Sequence, residues 1–258
     1  RKMSGVFRSA PIADRLTNCG LPPPAGIDGN AVSLPLVEQA VTRSRVYRFL
    51  TDAYVALPDE NLVFRLLGEK RLAHLAGPAA ESLPADVQQG LSLIWSFGTL
   101  MGGRPPGEIK ELLSVDRTRL FRGLMPGYGP PPPYESVYVG SPEAPLFQIT
   151  SEVAALYVRA GARFSWSVQE QADYIGVETD FMRLLTKGEA VAWKESPEEA
   201  RRWLSMEQEF LRDHLLRWVP RFCEIVIREA ESDFYRGVAM LTRGFLAADL
   251  QWVNQFVH

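Results

Sequence analysis

Apolar residues recur along this chain with the spacing of one helix face after another. Val37, Tyr47, Leu50, Tyr54 and Leu57 fall close to one face of a helix that begins near Ser33, a predicted N-cap. A second helix is predicted over 60–76, closed by Gly77-Pro78. Asp86 is the predicted cap of a third, with Val87, Leu91, Ile94 and Trp95 on one side. The stretch "GGRPPG" at 102–107 breaks the pattern. A fourth helix, Glu108 to Phe121, bears Ile109, Leu112, Leu113 and Leu120.

The pattern then stops at "GPPPPYESVYVG", residues 129–140. Proline has no amide donor and disfavours helix in the residue before it, so 126–134 is predicted to be an extended connector. Helical spacing resumes with Thr150 as predicted cap and Val153, Leu156, Tyr157 and Ala160 on one face, ending at Gly161. Asp173 is the predicted cap of the next helix, striped by Val177, Phe181, Leu184 and Leu185. "SPEE" at 196–199 is a full start signal: Ser196 caps, Pro197 takes the first turn and Glu199 closes the box. Ala200, Trp203, Leu204, Phe210, Leu211, Leu215 and Trp218 share a broad face until Pro220, which is expected to kink or end that helix. A last helix presents Phe234, Val238, Leu241, Phe245 and Leu246.

No strand alternation or internal repeat interrupts this. The predicted fold is all-α, with two helical lobes joined by a proline-rich hinge. The expected divisions are a flexible N-terminal arm at 1–32, a helical lobe at 33–121, a hinge at 122–145 and a second lobe at 146–258. An extended connector also allows two chains to exchange lobes, so monomer and domain-swapped dimer both stay open.

The 258 residues suffice for a sizeable core. A net charge of -3 gives no reason to expect nucleic acid or an anionic membrane surface. Two cysteines, Cys19 and Cys223, make no disulfide framework, which suits a reducing, cytoplasmic setting. No apolar run is long enough to span a membrane. The opening stretch is basic but lacks the apolar region of a secretory signal, and Met3 is the expected native start.

Candidate chemistry is sparse. His74, His214 and His258 are far apart, so no metal is expected. Phosphate loops and nucleophile elbows are absent, and no cofactor is expected. His214, inside an apolar stripe, reads first as a hydrogen-bonded core histidine. Cys223 reads as a small core hydrophobe. Leu120, Phe121, Pro133, Tyr134 and Tyr138 have two readings. They plug the seam between lobes, or they line a groove edged by Glu135, Asp173, Glu178 and Asp180. Such a groove suits a peptide with an apolar segment and a basic end.

Three stretches in order, "RLFRG" at 119–123, "PPPPYESVY" at 130–138 and "DYIGVETDFM" at 173–182, resemble the TorD/DmsD family of redox-enzyme maturation chaperones, relatives of NarJ-type proteins. Residues 210–250 resemble the same family's C-terminal half, and the likeness runs over roughly 34–252. It implies an all-helical cytoplasmic protein without catalytic activity. Its partners would be the twin-arginine signal peptide or the body of an apo-molybdoenzyme, held until the molybdopterin cofactor is inserted. Carried over by position, the implied peptide-binding residues are Leu120, Phe121, Pro133, Tyr134, Asp173 and Tyr174, and His214 lies in the stretch resembling the family's late helix; the groove reading adds Glu135, then Tyr138, Glu178 and Asp180. The family commonly has Asp-His where this chain has Asp173-Tyr174, and tyrosine does not titrate near neutral pH. Two other readings stay open: a NarJ-type assembly factor for a non-exported reductase, and a helical hydrolase using Asp173 and Glu178 as acid and base.

Overall fold

The computed structural model describes residues 16–18, 34–55, 57–67, 83–122, 129–140, 147–164 and 171–257. Its helices are α1 (Leu34–Val55), α2 (Glu60–Leu67), α3 (Ala85–Met101), α4 (Pro106–Phe121), α5 (Glu135–Val139), α6 (Phe147–Arg159), α7 (Ile175–Glu195), α8 (Pro197–Phe210), a π-helical segment (Leu211–Leu215), α9 (Leu216–Glu229) and α10 (Asp233–Val253). The fold is all-α. One antiparallel pair of three-residue strands is added, β1 (Leu16–Asn18) and β2 (Ala162–Phe164), with Leu16 opposite Phe164. The rest of the expected arm at 1–32, the second helix beyond Leu67, and Cys19, His74 and His258 lie outside the described residues.

α1 lies along α7, α3 along α10, and α8 against α7. Buried residues from both sides of the proline segment therefore belong to one continuous cluster, from Tyr47 and Leu50 to Phe181, Phe222 and Leu241. α3 and α10 meet through their backbones. A Cβ on Gly90 would lie 2.6 Å from the Leu241 nitrogen, and one on Gly237 would lie 2.6 Å from the Gly90 oxygen. Only glycine permits that approach.

The start signals fared unevenly. Ser196 caps α8, accepting the Glu199 amide at 3.3 Å, with Pro197 in the first turn. The Glu199 side chain, however, turns to Arg202 instead of closing the box. α3 has Pro84 at its cap and no side-chain cap, while Asp86 pairs with Arg243 on α10. α6 begins at Phe147, so Thr150 is interior. Leu57, Trp95 and Leu112, expected on buried faces, are exposed. Pro220 neither ends nor starts a helix but lies inside α9. The regular helix is interrupted one turn earlier, in the π segment, where the backbone widens before the ring that would crowd the carbonyl four residues back.

Candidate functional site

The end of the proline segment is built by hydrogen bonds to the residues just before α7. Gly129 turns the chain at φ 84°, where a Cβ would stand 2.5 Å from the Arg119 oxygen. The extended prolines follow. The Glu135 amide donates to the Asp173 oxygen at 2.9 Å, and the Ile175 amide donates to the Pro133 oxygen at 3.0 Å. Tyr134 and Tyr174 thus form an isolated antiparallel bridge, with rings 5.3 Å apart. Tyr174 is buried, and its hydroxyl donates to the Tyr54 oxygen at 2.6 Å. It fixes the bridge to α1, a role that needs a hydroxyl at that reach and no titration.

Asp173 does not cap its own helix, where Tyr174 holds the cap position. Its Oδ2 accepts the Ser136 amide of α5 at 3.0 Å, and its Oδ1 accepts the Thr150 hydroxyl of α6 at 2.9 Å. One carboxylate therefore caps α5 from across the bridge and ties α6 to it. The sequence concealed this because α5 lies inside the expected hinge at 122–145, where no helix was predicted.

Behind α5 sit two fully buried glutamates. Glu135 Oε2 lies 2.9 Å from His214 Nδ1 in the π segment, and its Oε1 is 4.0 Å from Arg217. A carboxylate only accepts, so Nδ1 carries the hydrogen there when Glu135 is ionised. Glu178 Oε2 accepts Trp218 Nε1 at 3.1 Å, and its carboxyl neighbours that of Glu135. Burial first, then the Glu135 charge, holds the Glu178 carboxyl well above the usual carboxylate range. Tyr138, half-buried, lays its ring over Trp218 at 5.3 Å and reaches Phe222 at 6.1 Å; its hydroxyl donates to the Pro131 oxygen at 3.0 Å.

Pro133, Tyr134, Glu135, Tyr138, Asp173, Tyr174, Glu178 and His214 are therefore brought together. Leu120 and Phe121 form the buried last turn of α4, where the helical spacing put them, and Phe121 packs edge-on against Tyr54 and Tyr235. Asp180 is apart, paired with Arg183 and facing Arg48 and Asp52 of α1. Burial dominates its upward shift.

A second polar cluster escaped the sequence reading. Arg43 of α1 is buried and donates to Glu189 of α7 at 2.7 Å, to Glu207 of α8 and to Asp249 of α10. Tyr47 also donates to Asp249, Trp193 donates to Glu189 at 2.7 Å, and the Trp252 ring covers the guanidinium at 4.4 Å. Burial pushes Glu189 up to about 7 and Glu207 well above the usual range, against the pull of Arg43. The available signal was a charge on an apolar stripe: Arg43 falls on the line of Ala40, Tyr47 and Leu50.

Neither cluster has an activated nucleophile beside a base. Asp173 and Glu178 are both fully buried, Asp173 with both oxygens engaged by Ser136 and Thr150, which removes the geometric ground for the hydrolase reading. Burial raises the Cys223 thiol, which is buried in the core as expected. Among the described residues no group of three or more histidine, cysteine or carboxylate side chains could hold a metal, and no helix is long and apolar enough to cross a membrane.

Fold and site thus define an all-α protein whose polar groups fasten a proline segment to a helical body. Residues 82–224 match the family described as nitrate reductase delta subunit, and the chain belongs to that family, the TorD/NarJ family of chaperones, which are not enzymes. It is 27% identical over 118 residues to the chaperone protein TorD of Vibrio parahaemolyticus, covering 45% of this chain and 54% of that one. It is 30% identical over 135 residues to TorD of Aeromonas salmonicida, covering 52% and 59%. TorD of Aliivibrio fischeri is 33% identical over 84 residues, 33% of this chain and 38% of that one. The chain spans little more than half the length of the first two relatives, and less of the third.

Proposed function

We propose that this chain is a cytoplasmic chaperone dedicated to a molybdopterin-dependent oxidoreductase. It binds the enzyme's twin-arginine signal peptide or apo form and holds it until the cofactor is inserted, before export. The observation that carries this reading is the extent of the family match. Residues 82–224 contain the whole proline segment and every candidate from Leu120 to His214. The peptide's apolar part would lie against Tyr134 and Tyr138, the half-buried aromatics at the end of the stiff segment. Glu135, Asp173 and Glu178 are fully buried. Their role in this reading is to hold the aromatics in place, so charge contributes little to binding. A rigid segment loses little entropy when a peptide docks.

The family's description favours one alternative, a NarJ-type factor that assembles a reductase that is not exported. Calorimetric titration with a molybdoenzyme's twin-arginine peptide and, separately, with the same enzyme in apo form lacking that peptide distinguishes them. Saturable peptide binding supports the export reading. Binding to the signal-less body alone favours the NarJ-type reading. Binding to neither sinks both.

A further inference from the structure

The contact that seats α5 is short of one donor. Glu135 and Glu178 are fully buried and face each other across α5 and α7. One oxygen of each has an outside partner, His214 for Glu135 and Trp218 for Glu178. The other two, Glu135 Oε1 and Glu178 Oε1, are buried without a hydrogen-bond donor among the described residues. Arg217 stands 4.0 Å from Glu135 Oε1, beyond hydrogen-bond reach, and is half exposed. The other ionisable groups turned towards the pair are Tyr157 of α6, whose hydroxyl donates to the Ala172 oxygen, and Asp173, which already accepts from Ser136 and Thr150. None of the described groups supplies the missing hydrogen. Two ionised carboxylates in a dry contact repel, whereas one bound proton converts them into an O–H···O pair.

We propose that a single proton shared by Glu135 and Glu178 is a latch that fastens α5 and the proline segment to α7, and with it seats Tyr138 against α9. With the proton bound, the segment is seated. When it leaves for solvent, the two carboxylates separate, and the simplest relief is for Glu135 to swing out with α5. That movement lifts Tyr138 off Trp218 and Phe222 and bares their apolar faces. The latch itself is independent of the chaperone reading; only the use of the bared surface for a client rests on it.

The direction with pH follows. The folded Glu178 holds its proton more tightly than an unfolded glutamate does, chiefly through burial. The stabilisation from closure is therefore complete below the unfolded value, about 4.5, and is lost as pH rises through the folded value.

Amide hydrogen exchange on the full chain between pH 5 and pH 9 tests this. The reporters are the amides of Glu135, Ser136 and Ile175, which hold the bridge. Each rate is divided by its intrinsic rate and compared with α10 core amides such as Leu241 and Leu246. The expected result is a fall in relative protection of about tenfold or more with rising pH, the equivalent of one lost favourable contact. In Glu178→Gln a permanent N–H replaces the shared proton, so protection should stay flat and exceed wild type at pH 9. Glu135→Gln offers the same replacement from the other partner if the first variant does not fold. Flat protection in wild type overturns the latch, and so does a titration that survives both substitutions.

Discussion

Two buried groups of charged side chains hold this protein together, and they differ in whether a permanent cation is among them. Around Arg43, three carboxylates from α7, α8 and α10 converge on one guanidinium from α1. Arginine keeps its charge at any accessible pH, so four helices stay fastened even as Glu189 titrates. Around Glu135, carboxylates from α5 and α7 meet with, among the described cationic side chains, a histidine and a half-exposed arginine at hand. The first arrangement suits a fixed scaffold. The second suits a part that is seated but can be released. The difference lies in one residue's chemistry, since both sites are equally dry.

Arg43→Met should have the largest effect. It leaves Glu189, Glu207 and Asp249 buried without their cation and should cost about 3–5 kcal/mol in urea unfolding at neutral pH. A loss below about 1 kcal/mol would mean that the helices are held by apolar packing alone and would erase the contrast. Next comes pH. Glu178, Glu189 and Glu207 all bind protons more tightly in the folded chain, with Glu189 at about 7. Their stabilisation is full near the unfolded value of about 4.5 and falls as pH rises. The urea midpoint should therefore drop between pH 5 and pH 8, and a midpoint that rises across that range would contradict the assignment. Thr150→Val sharpens the comparison from the other side. It deletes a donor to Asp173 and should cost about 1 kcal/mol, felt in exchange at Ser136 more than in global unfolding.

The helices were legible because their stripes need only local spacing, as in Val153 and Tyr157 or Phe234 and Val238. The Ser196-Pro197 start was legible for the same reason. The polar clusters were not, because their partners lie far apart in sequence: Arg43 meets residues on three later helices. Asp173 looked like a cap and is one, but for α5 and not for the helix that follows it. Periodicity says which face is apolar, not which neighbour covers it, so the exposure of Trp95 and Leu112 stayed hidden. Tyr134, Glu135, Asp173 and Tyr174 were singled out together by motif, and the chain does bring them together. Their division of labour, the half-buried Tyr134 ring in front, the buried Tyr174 tied to α1 and the buried carboxylates behind, needed coordinates.

The most direct test of the account is calorimetric titration of a twin-arginine signal peptide into wild type and Tyr134→Ala, at low and at molar salt. Apolar contact at the end of the proline segment predicts saturable binding to wild type that molar salt weakens only several-fold. It also predicts a loss on the order of 1 kcal/mol, about fivefold in affinity, in Tyr134→Ala with its helical content intact. Unchanged affinity in the variant, or binding abolished by moderate salt in wild type, would contradict it.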